Sequence, residues 1–354
     1  MLNTALDSMT STRVVHVSVA VIVKNGQVLV SKRAEHVHQG GLWEFPGGKV
    51  EQDESIEAAL YREVQEELGM DIKSSRPLIS VLHHYPDKSV LLDTRLVTAF
   101  SGREYSQAMA QPGLEGQMVR WLDIDELANY QFPSANQAII NALQLPEHYA
   151  ITPDILISRG SEPGNSKPAQ TDIEQFLQDF AKTIRQQRLL QLRVKSLTGE
   201  PLNQLVRQAC ILAQQSHTRV LLNSAMPVSK DLYKLANGIH LTSQHLHDSH
   251  FADSFQKQYP EKLIAASCHN RDDVERANQL QVDFIVISPV QRTASHPDQV
   301  PLGWVQFKAL SDIASVPVFA LGGMTGESMV TAQANGAQGI AAIRGLWTSG
   351  CVKR

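Results

Sequence analysis

The second half of the chain constrains the fold most strongly, because short apolar runs alternate there with longer helical patterns. Eight runs have the length and β-branched content of strands: YAIT, LLQLRV, RVLLN, GIHL, KLIAAS, DFIVIS, PVFAL and GIAAI. Strands that are separated by helices pair in parallel. Eight such units in roughly two hundred residues predict a closed (β/α)₈ barrel of the TIM type.

Residues 14 to about 145 follow a different pattern, which indicates a mixed α+β unit. Two β-rich runs are joined by Asn25-Gly26, a strong hairpin signal. The segment SIEAALYREVQEELG has apolar residues at helical spacing, and Gly69 stands where a helix would end. Further strand-like runs, SVLLDTRLVTAF and GQMVRWLDI, lead to a late helical segment, SANQAIINAL. We therefore expect an α/β/α sandwich with a mixed sheet.

The change of pattern sets the expected domain boundary near Leu145-Pro146. We expect the sandwich over residues 1–146 and the barrel over residues 147–354. The stretch SRGSEPGNSKPAQ, residues 158–170, has the composition of a linker. We place it inside the barrel as the loop after the first strand, because YAIT already has the character of a strand.

Composition excludes several classes of protein. The formal net charge of -4 over 354 residues argues against a broad surface for nucleic acid or anionic membrane, which needs clustered Lys and Arg. The 3 cysteines are far apart and show neither a disulfide framework nor zinc spacing. The apolar run of residues 14–23 is too short to cross a bilayer. We expect a cytoplasmic protein that binds neither nucleic acid nor membrane directly.

Three glutamates crowd one turn of the predicted helix. Glu63, Glu66 and Glu67 stand at positions i, i+3 and i+4, so their carboxylates project from one face and repel each other. The nearest cations are Lys49 and Arg62. Three hard anionic donors suit Mg²⁺ or Mn²⁺, which take carboxylate, water and phosphate oxygens. A solvated acidic helix is the alternative, and it leaves the neighbouring residues unexplained.

The spacing of those neighbours resembles the Nudix box, the signature of hydrolases that act on a nucleoside diphosphate linked to another group. Counted from Gly48, five residues lead to Glu54 and seven more lead to Arg62 and Glu63. The two further glutamates, a glycine and an aliphatic residue follow at the spacing of the box.

This resemblance implies a role for each matched residue. The implied metal ligands are Glu63, Glu66, Glu67 and the carbonyl of Gly48. Glu54 and Arg62 are implied to hold the loop against the helix through charge-assisted hydrogen bonds. In such enzymes the metal neutralises diphosphate oxygens and lowers the pKa of a bound water, and a carboxylate helps to remove its proton. Which glutamate is that base stays open.

Outside the box, residues 14–145 resemble the 8-oxo-dGTP diphosphatases of the MutT type. The pieces SKRAEHVHQGGLWEFPGGK, HHYPDKSVLL, GLEGQMVRW and FPSANQAI occur in that family's order. The resemblance makes Glu115 a further metal contact and Asn136 the reader of the purine edge, since an amide both donates and accepts. The other implied substrate-binding residues are Arg33, Phe45, Gly47, Gly48 and Lys49.

Alternatives stay open for this half. An asparagine at the position of Asn136 is also a good helix N-cap. A different dinucleotide or a nucleoside diphosphate sugar is the rival substrate. The leading expectation is a Mg²⁺-dependent hydrolase that converts 8-oxo-dGTP to 8-oxo-dGMP and diphosphate, and so keeps oxidised nucleotides out of DNA. The non-enzymatic alternative is a nucleotide sensor that controls the barrel.

The barrel half resembles the thiamine-phosphate synthase and thiazole tautomerase family along nearly its whole length. Gln191, Arg193 and Lys195 stand at alternate positions of one predicted strand, so they face the same way and suit a diphosphate. The pair Gly322-Gly323 follows the seventh strand, in the usual phosphate-binding region of such barrels. The resemblance implies a thiamine-precursor phosphate as the ligand.

The barrel sequence departs from the synthases at the positions that carry charge. Their Asn-Asp pair after strand three is Asn223-Ser224 here, and their second metal-binding Asp corresponds to His245. Their loop lysine is missing where Ser295 and His296 occur. Without these groups, the synthase route loses its charge neutralisation. A tautomerase needs only an acid/base group, for which His240, His245 and His296 are candidates; a sensing or structural barrel is the other alternative.

Overall fold

The computed structural model describes residues 14–36, 39–85, 88–155, 168–293 and 300–348. The chain forms two compact units, Met1–Ile140 and Asn141–Arg354. The division falls inside the helix Gln137–Gln144, slightly before residue 146, so the domain limits of 1–146 and 147–354 stay predictions. Within the described residues, no helix is both long and apolar enough to cross a bilayer.

The first unit is built on a mixed sheet, as predicted. Its strands are β1 (Val14–Lys24), β2 (Gln27–Lys32), β3 (Trp43–Glu44), β4 (Gly47–Lys49), β5 (Met70–His84), β6 (Ser89–Gly102), β7 (Gln111–Pro112) and β8 (Met118–Asp123). The sheet order is β5-β6-β1-β2-β8-β7, with β3 paired to β2 and β4 paired to β1. Strands β1 and β6 are parallel, and the other pairs are antiparallel. The helices are α1 (Ile56–Leu68), α2 (Gln137–Gln144) and two 3₁₀ turns (Ile124–Asn129 and Ser134–Asn136).

The predicted hairpin between β1 and β2 is confirmed. Asn25 and Gly26 have φ angles of 52° and 77°, the left-handed conformations that a type I′ turn requires at both central positions. Lys24 pairs with Gln27 directly across this turn. Glycine and asparagine tolerate such angles better than other residues do, which is why the sequence signal was reliable.

The predicted glutamate-bearing helix is α1, and its ends follow from its sequence. The Ser55 hydroxyl accepts a hydrogen bond from the Ala58 N–H at 3.1 Å, and Gly69 closes the helix with a φ of 64°. Leu60, Val64 and Leu68 are fully buried in the core of the first unit. Because this apolar stripe is fixed against the sheet, the other side of the helix is left for the charged residues.

The second unit is a closed parallel barrel, and all eight predicted strands are confirmed. They are β9 (His148–Ile151), β10 (Leu189–Leu192), β11 (Arg219–Asn223), β12 (Gly238–Leu241), β13 (Leu263–Cys268), β14 (Phe284–Ile287), β15 (Val318–Leu321) and β16 (Gly339–Ala342). The α-helices are α3 (Gln170–Thr183), α4 (Gly199–Gln215), α5 (Ser243–His247), α6 (Ser249–Gln258), α7 (Arg271–Leu280), α8 (Gly303–Ser311) and α9 (Met329–Ala334).

Two of the β/α repeats of the barrel, those that begin with β11 and β16, lack an α-helix within the described residues. A 3₁₀ helix, Lys230–Lys234, follows β11, and another, Gly326–Ser328, precedes α9. After β16 the described chain, which ends at residue 348, contains no further helix. The stretch 158–170 lies between β9 and α3, and most of it falls outside the described residues.

The barrel interior combines aromatic rings with a polar layer. Tyr149 packs edge-on against Phe284 at 5.1 Å between ring centroids. Its hydroxyl accepts a hydrogen bond from the Gln191 side chain at 3.3 Å and lies 3.1 Å from the His240 Nδ1. The His240 Nε2 lies 2.8 Å from the Ser267 hydroxyl, so both ring nitrogens of this buried histidine have partners. Burial, and then the charge of Arg193, lower the pKa of His240 to about 3.

This burial predicts a loss of stability in acid. Because the folded-state pKa of His240 lies below the unfolded value of roughly 6.5, the unfolded chain binds the proton first as the pH falls. The second unit should lose about 2 kcal/mol of unfolding free energy from this group between pH 7.5 and pH 5. Denaturant titrations of wild type and of His240→Gln at the two pH values measure the difference. The exposed His217→Gln is the control, and an equal acid loss in wild type and His240→Gln would contradict the prediction.

Candidate active site

Arg62 of α1 holds the segment of residues 47–54, the glycine loop, against the helix. The Arg62 guanidinium donates two parallel hydrogen bonds to the Glu54 carboxylate, each 2.9 Å long, and a third to the Lys49 carbonyl at 3.1 Å. This planar fork matches a carboxylate better than a lysine would. The same hydrogen bonds lower the pKa of Glu54. The loop and the helix are therefore held in one fixed arrangement.

Arg62 also contacts two of the three clustered glutamates. Its Nη1 donates to Glu63 at 2.8 Å and to Glu66 at 3.1 Å. The third carboxylate, of Glu67, instead accepts from the Gly47 N–H at 3.2 Å. Among the described residues, no three His, Cys, Asp or Glu side chains form a ready-made metal site. Arg62 therefore neutralises part of the charge of this cluster, and a cation would neutralise the rest.

Glu67 lies buried among other acidic side chains. Burial, and then the charge of Glu44, raise the pKa of Glu67 to about 8, and Glu63 and Glu115 add smaller increases. The Gly47 N–H partly opposes these effects. Glu115 is held nearby because Leu114 N–H and the Gln117 side chain both donate to the Glu67 carbonyl, at 2.8 and 3.2 Å. A hard cation would relieve this repulsion, so the donor set fits a divalent metal.

Gly48 is a glycine because of the carboxylate beside it. A Cβ at this position would overlap the carboxylate of Glu63, and one at Gly47 would overlap the carbonyl of Ser18 on β1. Gly47 also has a φ of 144°, which favours glycine. Loop and helix therefore approach more closely than side chains on the loop would allow. The Gly48 carbonyl as a metal ligand stays a prediction.

A cavity of about 420 Å³ lies beside this loop in the first unit. All six residues that the sequence resemblance assigned to substrate binding line it: Arg33, Phe45, Gly47, Gly48, Lys49 and Asn136. Valines and a leucine of β1 and β6 form an apolar wall, and Phe45 stacks on Phe132 with 5.6 Å between ring centroids. Such a cavity has the flat apolar surface and the few polar groups that a nucleobase needs.

Asn136 is 6% exposed and faces this cavity from the start of α2. Neither helix next to it uses its side chain as a cap: the 3₁₀ turn begins after Pro133, and no capping hydrogen bond from Asn136 occurs within the described chain. The alternative of a helix N-cap therefore has no hydrogen bond to support it. The amide stays available to a ligand.

The cavity also contains residues that the sequence analysis missed. Glu44 pairs with Arg33, and burial raises the pKa of Glu44 while Arg33 opposes the increase. Gln39, Tyr85 and Lys88 complete the polar part of the wall. The sequence feature that could have identified Glu44 was its charge between Trp43 and Phe45, because a glutamate in a short aromatic strand needs a partner.

A second cavity, of about 810 Å³, lies at the carboxyl ends of the barrel strands. Gln191, Arg193, Lys195, Asn223 and Gly322 line it, whereas Gly323 is not part of its wall. The alternation had predicted that Arg193 and Lys195 lie on the strand with Gln191. Strand β10 ends at Leu192, so this prediction is wrong for these two residues, which belong to the following loop. This end of a barrel is where ligands bind in such folds.

Asp154 fixes the loop that carries the two cations. It accepts hydrogen bonds from the Lys195 N–H at 3.0 Å and from the Ser196 N–H and hydroxyl at 3.1 and 2.8 Å. Burial alone would raise the pKa of Asp154, but these hydrogen bonds hold it below its ordinary value. Arg193 is anchored separately, because its N–H donates to the Thr152 hydroxyl at 2.9 Å. These hydrogen bonds fix the backbone that carries the two cations.

The two barrel positions that correspond to the synthases' metal carboxylates bind each other. The Ser224 hydroxyl lies 2.8 Å from the His245 Nδ1 and accepts from the Thr242 N–H at 3.0 Å. The His245 ring stacks on Phe251 with 4.5 Å between centroids. Neither Ser224 nor His245 lines the cavity. A serine–histidine hydrogen bond therefore occupies the place where the family resemblance implies two carboxylates.

Two of the three histidines that we considered as acid/base groups do not suit that role, and the third lies outside the described residues. His245 does not line the cavity, His240 is a neutral residue with both nitrogens bonded, and His296 lies outside the described residues. His269, which sequence reasoning missed, does line the cavity. His269 directly follows β13. A polar residue at the carboxyl end of a barrel strand was the feature of the sequence that could have identified it.

Hydrogen bonds fix the orientation of His269. Its Nδ1 lies 2.8 Å from the Ser288 carbonyl, which only accepts, so the neutral ring carries its proton on Nδ1 and leaves Nε2 unprotonated. The backbone N–H of His269 donates to the buried Asp273 carboxylate at 2.8 Å. The same carboxylate accepts from the Ser243 hydroxyl at 2.9 Å and contacts the His247 Nε2 at 2.8 Å. This arrangement is typical of an oriented base.

Comparison with known proteins matches each unit to a different family. A family model described as NUDIX domain matches residues 18–142, and one described as Thiamine monophosphate synthase matches residues 165–346. An 8-oxo-dGTP diphosphatase from Buchnera aphidicola subsp. Schizaphis graminum is 33% identical over 129 residues, which cover 36% of this chain and 92% of that protein. A CTP pyrophosphohydrolase from Escherichia coli (strain K12) is 31% identical over 130 residues, 37% of this chain and 91% of that protein.

The second unit has a relative in Aquifex aeolicus (strain VF5) whose name assigns it to the thiamine-phosphate synthases. It is 33% identical over 172 residues, which cover 48% of this chain and 89% of that protein. Each of these relatives is matched over most of its own length. The chain therefore belongs to the Nudix family through its first unit and to the thiamine monophosphate synthase family through its second.

Proposed function

We propose that the first unit is a nucleoside triphosphate diphosphohydrolase that prefers 8-oxo-dGTP and releases 8-oxo-dGMP and diphosphate. One observation carries the proposal: β4, whose Gly47 N–H donates to Glu67 and whose Gly48 lies against the Glu63 carboxylate, also lines the cavity that Phe45 and Asn136 line. A phosphate chain at the loop and a base in the cavity would therefore be bound at once. Nudix hydrolases act on phosphoric anhydrides, and the 8-oxo-dGTP diphosphatases among the relatives are named for this substrate.

The metal of this site would be Mg²⁺, with Mn²⁺ as a substitute. Glu63, Glu66, Glu67 and Glu115, with the Gly48 carbonyl, would hold it. When bound, a divalent ion neutralises phosphate oxygens and lowers the pKa of a water. Arg62 would then keep the loop in place through Glu54 while Glu63 and Glu66 turn from its Nη1. A carboxylate of this cluster would accept a proton from the attacking water.

Different residues of the cavity suit the triphosphate and the base of the substrate. Lys49, and Lys88 across the cavity, carry positive charge suited to the triphosphate. Phe45 offers a face for stacking, and Asn136 both donates and accepts at a guanine-like edge. A cytosine presents a different edge, which is why CTP, the substrate named for one relative, is the informative competitor.

Replacement of Glu67 by Gln should lower turnover of 8-oxo-dGTP by roughly a hundredfold or more, because the shape is kept and the charge is lost. Diphosphate release in the presence of Mg²⁺ measures the effect. Glu57→Gln, an exposed change on the same helix, is the matched control. Calorimetric titration of Mn²⁺ gives a second readout. An unchanged rate would remove Glu67 from the metal site.

A nucleotide panel should show the highest kcat/KM for 8-oxo-dGTP, ahead of dGTP, CTP and a nucleoside diphosphate sugar. Asn136→Leu should lose roughly 10- to 100-fold on the guanine nucleotides, because their edge then faces an apolar group. Gln137→Leu, an exposed neighbour on α2, should match wild type. A preference for CTP would overturn the proposed substrate. Tight binding of 8-oxo-dGTP without diphosphate release would favour the nucleotide sensor.

For the second unit we propose a metal-independent site for a phosphorylated small molecule, with tautomerase-type proton transfer rather than synthase chemistry. Arg193, Lys195 and Arg344 provide the positive charge in its cavity, and His269 provides an oriented base. The hydrogen bond between Ser224 and His245 leaves no carboxylate at either of these positions for a metal. A thiamine-precursor phosphate, such as a thiazole phosphate, is the proposed class of ligand.

Binding of a thiazole phosphate to the full chain should be unchanged by EDTA and should weaken about tenfold in Arg193→Gln, because a charged hydrogen bond is lost. Exchange of a carbon-bound proton of this ligand with D₂O should depend on His269 and disappear in His269→Gln. The exposed His250→Gln is the control for that exchange. Mg²⁺-dependent joining of a pyrimidine diphosphate to the thiazole would instead restore the synthase assignment.

A further inference from the structure

Ser243 presents to the cavity of the second unit a hydroxyl whose proton is already used. It lies at the start of α5, just after β12, is half-buried and lines that cavity. Its hydroxyl donates to the Asp273 Oδ1 at 2.9 Å. An ionised carboxylate only accepts hydrogen bonds, and a serine hydroxyl has a single proton to donate. Toward a ligand, Ser243 therefore offers only the lone pairs of its Oγ.

Other contacts hold Asp273 in place independently of Ser243. Its side chain is 2% exposed, and its Oδ2 accepts from the backbone N–H of His269 at 2.8 Å. The His247 Nε2 lies 2.8 Å from the Oδ1, and the Asn270 side chain accepts from the Asp273 N–H at 2.9 Å. Because these contacts fix the carboxylate, it stays an acceptor for the Ser243 proton.

The same side of the cavity carries a second acceptor. His269 also lines the cavity, and its neutral ring leaves Nε2 unprotonated. Strands β12 and β13 are neighbours in the barrel, so Ser243 and His269 lie at adjacent strand ends. No described residue donates a hydrogen bond to the Ser243 Oγ. This side therefore suits N–H or O–H groups of a ligand, whereas Arg193 and Lys195, which only donate, suit its phosphate.

We propose that Ser243 is a specificity-determining residue of this cavity, whose Oγ accepts a hydrogen bond from an N–H or O–H group of the phosphorylated ligand while Asp273 holds the hydroxyl proton. This inference rests on the proposed ligand site of the second unit and adds a second group by which the ligand is recognised. The ligand class is then a phosphate ester that carries a hydrogen-bond donor away from the phosphate. A ligand with only an acceptor there would leave two acceptors facing each other, which weakens binding.

Two compounds of nearly equal shape test this polarity on the full chain. Both are the thiazole phosphate with one substituent on ring carbon 2, an amino group in the first and a methyl group in the second. Wild type should bind the amino compound about fivefold more tightly, because one net hydrogen bond is gained. Calorimetric titration measures the two affinities. Ser243→Ala should bind both compounds equally, whereas Ser243→Thr, which keeps the hydroxyl, and Ser254→Ala, an exposed change on α6, should keep the preference.

Asp273→Asn should reverse the polarity of Ser243 while the serine itself stays in place. The introduced amide has one acceptor oxygen, which the His269 N–H requires, so its NH₂ group faces the Ser243 Oγ. The hydroxyl proton is then free to point into the cavity, and the preference for the amino compound should disappear. A full preference in Asp273→Asn would contradict the polarity that we assign to Ser243.

Binding and proton exchange together separate this inference from the proposed function of the second unit. If the amino preference depends on Ser243 but no carbon-bound proton exchanges with D₂O, the role of Ser243 holds and the tautomerase proposal fails. If wild type binds both compounds equally and Arg193→Gln weakens both, the inference is wrong and the phosphate site stands. A preference that survives in Ser243→Ala would likewise overturn the inference, since it would assign the contact to His269.

Discussion

The ion pair between Arg62 and Glu54 is the interaction on which the proposed hydrolase site depends. Two parallel hydrogen bonds fix the guanidinium, and a third from its Nη2 holds the Lys49 carbonyl. The remaining nitrogen holds Glu63 and Glu66. One arginine therefore positions the loop and neutralises two carboxylates. Because the bonds to Glu54 do not involve the clustered glutamates, a cation can compete for those two without releasing the loop.

The parts of this protein that were predictable from sequence are those with a short-range physical cause. The Asn25-Gly26 turn was predictable because few residues adopt two left-handed conformations in a row. The barrel strands were predictable because a strand buried on both faces reads as an uninterrupted apolar run. The end of α1 at Gly69 follows from the same preference for glycine at positive φ.

The parts that were not predictable depend on contacts between segments distant in sequence. Gln39 and Glu44 lie in a short loop and a two-residue strand, where periodicity gives no indication of which side chain enters the cavity. The partners of Glu66 and Glu67 could not be read from helix spacing either, since α-helical geometry places carboxylates on a face but does not say which cation or N–H each one meets. His269 was missed because one histidine after a strand resembles any other.

In the barrel, two polar residues occupy positions where the family resemblance implies carboxylates. Two carboxylates close together need a metal, and they bind it because their repulsion is otherwise uncompensated. Ser224 and His245 satisfy each other through one hydrogen bond, so no such need arises. The cavity nevertheless keeps Arg193, its anchored loop and an oriented His269. In our proposal Arg193 and His269 are the groups that would hold an anion and move a proton, while Ser224 and His245 offer no carboxylate to a metal.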